Sequence, residues 1–117
     1  MITFYGYSKC STCQKAKKYL NGKKIRYKEV DITMNPPSRK VIQTILQGKA
    51  YTLEQLFNRS GLMYRELKMK DKMPTMSKAA LINLLANNGR LVKRPIILNG
   101  GSHTVGFDEK VFKKTWK

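Results

Sequence analysis

The residue types best suited to chemistry stand together near the amino terminus, in Cys10-Ser11-Thr12-Cys13. Two thiols at this spacing suggest a redox pair where a strand gives way to a helix. A bridge between them closes too small a loop to stabilise the fold through chain entropy, so its value is chemical. Cys10 would face the amino-terminal amides of such a helix, whose partial positive charge favours a thiolate, and Lys9 and Lys15 add positive potential. Its pKa is therefore expected below the ~8.5 of a free thiol. Cys13 falls one turn further on, on the face of Ala16 and Leu20, and suits the buried, resolving partner. The plain alternative makes Cys13 a small core residue and Cys10 an idle surface thiol. Structural zinc takes about four ligands, and the remaining soft ligand, His103, is far along the chain. Covalent haem attachment needs a His directly after the second cysteine, where Gln14 stands.

Arg94-Pro95 is the second candidate. Proline cannot donate to a ladder, so Pro95 before the apolar run Ile96-Ile97-Leu98 marks a sheet edge, a bulge or a cis peptide. Arg94 carries a fixed charge able to hold an oxyanion or a thiolate-bearing partner by paired hydrogen bonds. Among 24 basic residues it is equally explained as part of a solvated face.

The elements that must position these groups can be read from the apolar pattern. Ile2-Thr3-Phe4-Tyr5 is a β-branched and aromatic run stopped by Gly6, a short buried strand. From Ser11 the period changes: Cys13, Ala16 and Leu20 recur at helical spacing, and Asn21-Gly22 reads as the stop. Lys24 to Val30, continuing to Ile32, predicts a second strand parallel to the first, joined by the helix as crossover. After Asn35-Pro36-Pro37, Ser38 caps a helix with Val41, Ile42, Ile45 and Leu46 on one face. Thr52 caps a short piece with Leu53, Leu56 and Phe57; Asn58-Arg59-Ser60-Gly61 breaks it; an irregular or helical stretch with Tyr64 and Leu67 runs to Pro74. Ser77 begins a helix carrying Leu81, Leu84 and Leu85, ending at Gly89. Leu91-Val92 and Pro95-Ile96-Ile97-Leu98 read as an interrupted strand, Asn99-Gly100-Gly101 as a hairpin turn into His103–Phe107, and Asp108 as the start of a last helix toward Trp116.

At 117 residues the chain is long enough for one core-forming domain, and its 41% hydrophobic and 26% charged residues fit a soluble globular protein. No apolar run approaches the ~20 residues that span a membrane, and the amino terminus lacks the features of a secretory signal, so a cytoplasmic location and no membrane partner are expected. The charge is +17, with eight of the basic residues between Lys9 and Lys28 and no acid among them. Such a surface suits an anionic thiol or an acidic protein face. It also attracts nucleic acid at low salt, but neither a recognition helix nor an aromatic platform is legible, so specific nucleic-acid binding is not expected.

Taken together, Phe4-Tyr5 into Cys10-Ser11-Thr12-Cys13 with Lys15-Ala16-Lys17, Asn35-Pro36-Pro37-Ser38, Phe57-Asn58-Arg59-Ser60-Gly61 with Tyr64-Arg65-Glu66-Leu67, Lys93-Arg94-Pro95-Ile96 and Val105-Gly106-Phe107 resemble the arsenate reductase and Spx family over essentially the whole chain. The resemblance implies an α/β fold of the thioredoxin-like, glutaredoxin-like kind. A βαβ half and a ββα half would make the sheet, and a helical subdomain would be inserted at about residues 36–90 of a single domain, 1–117. It implies a cis Pro95 facing the cysteines and Cys10 as nucleophile. The catalytic set is then Cys10, Cys13, Arg94 and Pro95, with Lys9, Ser11, Thr12 and Arg59 expected to bind substrate.

Glutathione-linked arsenate reductases of this family present three arginines to arsenate, and here only Arg94 matches. Asn58 stands at the first position with Arg59 beside it, Gly106-Phe107 occupy the third, and Gly6 replaces a His before the cysteine loop. An arsenate anion would lose most of its charge-assisted contacts, so efficient arsenate reduction is not expected. Cys13 instead matches family members with two neighbouring cysteines, including Spx, a redox-controlled transcription regulator that binds the RNA polymerase α subunit. The expectation is a monomeric thiol-disulfide oxidoreductase that holds no cofactor and uses glutathione or thioredoxin as reductant. The alternative is a redox switch docking on an acidic protein such as the polymerase α subunit.

Overall fold

Alternation along β1 (Ile2–Gly6) turns Ile2, Phe4 and Gly6 inward and leaves Thr3 and Tyr5 half-buried on the opposite face. The computed structural model to which this strand belongs describes residues 2–117. Two units are distinguished: one comprises the chain up to Ile32 together with Arg94–Lys117, the other Thr33–Lys93.

In the first unit, β1 leads through the cysteine loop into α1 (Ser11–Gly22) and then β2 (Tyr27–Asp31). The chain returns to this unit with β3 (Ile96–Asn99), a hairpin at Gly100, β4 (Ser102–Val105) and α6 (Glu109–Thr115). The sheet order is β2-β1-β3-β4, with β1 and β2 parallel and the other neighbours antiparallel. Phe4 pairs with Glu29 on one side and Ile97 on the other, so β1 is a central strand. Its inner face packs with Cys13, Ala16 and Leu20 of α1 and with Ile97, Phe112 and Trp116 in one apolar cluster. Within that cluster the Phe112 ring meets Tyr19 and Phe107 edge-on, at centroid distances of 5.4 and 4.8 Å. Two polar groups are satisfied there: the Trp116 indole N–H donates to the buried Thr104 hydroxyl at 3.0 Å, and the Tyr19 hydroxyl donates to the Trp116 carbonyl at 3.1 Å.

The second unit is helical. Ser38 and Ser77 cap α2 (Arg39–Gln47) and α5 (Lys78–Ala86), each hydroxyl accepting from the amide three residues on. These two helices pack on one another, and they bury Ile42, Ile45, Leu81, Ile82 and Leu85. Between them lie a single turn at Glu54–Leu56 and two short helices, α3 (Leu62–Glu66) and α4 (Met69–Lys72). Thr52 and Gln55 cap the first turn reciprocally, the Thr52 amide donating to Gln55 Oε1 at 2.8 Å.

Three sequence expectations change. Gly6 belongs to β1 rather than ending it, because its carbonyl accepts from Ile32 and extends the parallel ladder. Leu91-Val92 is not part of a sheet strand: Gly89–Leu91 forms a helical turn and Val92 makes an isolated bridge to Phe57, after which the cis Arg94-Pro95 bond precedes β3. The start of β2 also moves. Gly22 is the last residue of α1, where the sequence places the stop, and Lys24 takes the left-handed conformation (φ +58°) beyond the cap. The Lys24 amide donates to the Asn21 carbonyl and the Ile25 amide to that of Leu20, a Schellman closure with lysine where glycine is favoured. These bonds occupy Lys24 and Ile25, which is why β2 begins only at Tyr27.

A first prediction follows from this closure. A Cβ on Gly22 would meet nothing within 4 Å, so Gly22→Ala should stabilise the helix, and Lys24→Gly should relieve the left-handed strain. The double variant is expected to gain about 1–2 kcal/mol in urea unfolding. A loss of stability would show that Lys24 makes a compensating contact.

Candidate functional site

The end of β1 and the start of α1 set the cysteine geometry. The Cys10 amide donates to the Tyr7 carbonyl at 3.1 Å, closing a turn over Ser8 and Lys9. The Gln14 side-chain amide donates to the Ser8 carbonyl at 2.9 Å and ties the loop to the helix. Cys10 is the N-cap of α1: its backbone is extended and its Sγ accepts from the Cys13 amide at 3.4 Å. One turn into the helix, Cys13 is wholly buried against Phe4 and Ala16, whereas Cys10 is half-buried. Both thiols are free.

The electrostatics of the two sulfurs differ in sign. Burial pushes the Cys10 thiol up, but hydrogen bonds from the Cys13 thiol and amide, and the Arg94 guanidinium with its bond and charge, outweigh it and leave the pKa below that of an ordinary thiol. For Cys13, burial is the largest cause and the Cys10 sulfur beside it the next, and together they push the thiol up to about 12. Lys9 and Lys15, expected to assist, are not among the groups that lower Cys10. Both lie exposed to solvent, where their charges are screened.

The sequence-derived site residues fall into two sets. Cys10, Cys13 and Arg94 come together in the first unit, and the cis bond between Arg94 and Pro95 leads into β3. Pro95 is buried, and its carbonyl accepts from the Gly106 amide at 2.9 Å. Gly106 itself has φ +78°, a backbone that glycine adopts without strain. Lys9 is exposed on the loop and Ser11 at the first position of α1, and Thr12 is half-buried. Arg59 belongs to the second unit, in the turn that the Gly61 amide closes on the Asn58 carbonyl, and lines a cavity of about 420 Å³ with Tyr64 and Lys70.

Two residues of the site were not legible as such. At Gly6 a Cβ would collide with the Phe4 ring and stand in ordinary contact, 3.4 Å, with Cys13 Sγ, so glycine here makes room for the ring that packs beside the buried thiol. The Tyr7 ring lies against the Arg94 guanidinium, 5.2 Å from centroid to Cζ. Nothing in the spacing of the sequence pairs positions 7 and 94; only the antiparallel β1–β3 pairing brings their strand ends together. Among the described residues no group of three or more His, Cys, Asp or Glu is placed to hold a metal ion, and no helix is long and apolar enough to cross a membrane.

Comparison with known proteins gives a consistent picture. The model of the ArsC family matches residues 5–115. An uncharacterized protein of Bacillus subtilis, YusI, is 43% identical over 117 residues, covering 98% of each chain. The global transcriptional regulator Spx of Streptococcus mutans is 28% identical over 109 residues, 93% of this chain and 78% of its own. The crystal structure of an ArsC family related protein from Bacteroides fragilis superposes with a TM-score of 0.91 at 38% identity, covering 97% of this chain and 95% of that one.

Proposed function

Because the chain belongs to the ArsC family, we propose that it is a thiol-disulfide oxidoreductase working through Cys10 and Cys13. Its fold is the mixed α/β, thioredoxin-like architecture of that family. The observation that carries the reading is the asymmetry of the two sulfurs, one half-buried and lowered by the Cys13 amide and Arg94, the other buried and held protonated.

The Cys10 thiolate attacks one sulfur of a substrate disulfide; the substrate S–S bond breaks, and the departing thiolate takes a proton from solvent. Once Cys10 is in a mixed disulfide its negative charge is gone, and with it one cause that holds the Cys13 proton. Cys13 loses that proton to solvent and attacks Cys10, forming the Cys10–Cys13 bond and releasing the second substrate thiol after protonation. Two electrons have passed from the cysteine pair to the substrate, and two equivalents of glutathione, or a thioredoxin dithiol, return them. Arg94 steadies the thiolate and an anionic group of the substrate, Pro95 shapes the wall beside it, and Lys9, Ser11 and Thr12 bind substrate. The protein acts as a monomer in the cytoplasm and holds no cofactor. With Arg94 alone of the three arginines, it is not an efficient arsenate reductase.

Similarity to Spx supports a second reading, in which the same disulfide toggles a surface that docks on an acidic protein such as the RNA polymerase α subunit. Turnover separates the two. Glutathione- or thioredoxin-coupled reduction of a small disulfide, with arsenate run alongside, is expected to show disulfide turnover and little arsenate reduction. A reversible Cys10–Cys13 bridge without turnover would overturn the enzyme reading in favour of the switch.

A further inference from the structure

Tyr7 contacts Cys10, Cys13 and Arg94. Its carbonyl accepts from the Cys10 amide at 3.1 Å, its backbone hydrogen-bonds the Cys13 sulfur, and its ring lies 5.2 Å from the Arg94 guanidinium carbon. Arg94 is half-buried and lies just before β3, with its long side chain free to rotate about several bonds. A flexible side chain in that situation would spread over many rotamers, and its hydrogen bond to Cys10 would be transient. An aromatic face changes this. A guanidinium stacked on a ring keeps its N–H donors free at its edge, so the ring can fix the plane without competing for the hydrogen bonds.

We propose that Tyr7 is a positioning residue that holds the Arg94 guanidinium in hydrogen-bonding reach of the Cys10 sulfur. It does so with its ring face, while its backbone sets the turn that presents the same sulfur. The phenolic hydroxyl takes no part. The inference rests on the reading of Cys10 as the reactive thiol, and it assigns Tyr7 an effect transmitted through Arg94 alone.

The test is a double-mutant cycle read by thiolate absorbance against pH and by the alkylation rate of Cys10 at neutral pH, neither of which needs turnover. Tyr7→Leu is expected to raise the Cys10 titration midpoint and slow alkylation about two- to fivefold, the range of a partly exposed cation–π contact. Arg94→Gln should act in the same direction and more strongly. Tyr7→Phe should behave as the parent, and Tyr7→Leu added to Arg94→Gln should change nothing further. A Tyr7→Leu effect that persists undiminished in the Arg94→Gln background, or a Tyr7→Phe variant that matches Tyr7→Leu, would overturn the proposal. Should Tyr7→Leu fail to fold, the parent decides by NMR: the Arg94 δ-methylene protons are expected upfield under the ring, and unshifted resonances would refute the stacking. Coupling without any disulfide turnover would sink the oxidoreductase reading and leave this one standing. Turnover without coupling would do the reverse.

Discussion

Cys10→Ser should abolish disulfide reduction, with a loss of at least about a thousandfold, because a serine hydroxyl does not ionise near neutral pH and cannot form the mixed disulfide. The argument rests on where the charge goes. The Cys10 sulfur accepts from the Cys13 amide at the first turn of α1 and from Arg94, contacts that favour the anion over the thiol. In the reduced parent, Cys10 should therefore titrate below the ordinary thiol value, and Cys13 should titrate at about 12 as long as the Cys10 sulfur beside it is unmodified. Cys13→Ser is expected to keep the first attack and to accumulate the mixed disulfide, visible by mass as substrate retained on the protein. Undiminished turnover in Cys10→Ser would remove Cys10 from the mechanism. Alkylation of both thiols with one common titration would remove the asymmetry on which the mechanism depends.

Phe112→Ala should cost about 3–5 kcal/mol in unfolding free energy, as expected when a wholly buried aromatic ring is truncated. Phe112 is the side chain through which α6 reaches the cluster formed by β1, α1 and β3. Its ring also makes two edge-on aromatic contacts that a methyl group cannot replace. The cavity would open next to Tyr19, whose hydroxyl holds the Trp116 carbonyl, so the end of the chain should loosen with it. Urea unfolding of the variant measures the loss. A cost below about 1 kcal/mol would mean that Phe107 and Tyr19 collapse into the space.

How far the sequence disclosed this structure depends on the range of the interaction. The β1–loop–α1 unit with its cysteines was legible because each signal is local: a β-branched run, a change of period, and apolar residues on one helix face. The caps at Ser38, Ser77 and Asp108 were legible for the same reason. The start of β2 was not, since the stretch from Lys24 alternates like a strand while Lys24 and Ile25 are held in the closure of α1. The turn at Leu91-Val92 was equally hidden, because an apolar pair ending in the β-branched Val92 is compatible with a strand, and only the helical turn at Gly89–Leu91 and the lone bridge to Phe57 show otherwise. Activation of Cys10 was expected from nearby lysines and helix amides. One such amide contributes, but the fixed cation is Arg94, which the sheet delivers from the far end of the sequence. Tyr7 could not be found at all without that pairing.

The position of β2 at the margin of the sheet bears on how the protein behaves when concentrated. Beyond β2 no further strand is present among the described residues, so β2 is an edge strand whose outer backbone groups have no strand partner in the sheet. Its solvent-facing residues Lys28 and Glu29, with Arg26 just before it, place charge where a second copy would have to align. The edge itself carries both signs, Lys28 beside Glu29 and Asp31, so repulsion between two copies comes from the net charge of +17 rather than from the facing residues. Salt shortens the reach of that repulsion to about 3 Å at 1 M. Association of copies along this margin of the sheet is therefore expected to rise with ionic strength.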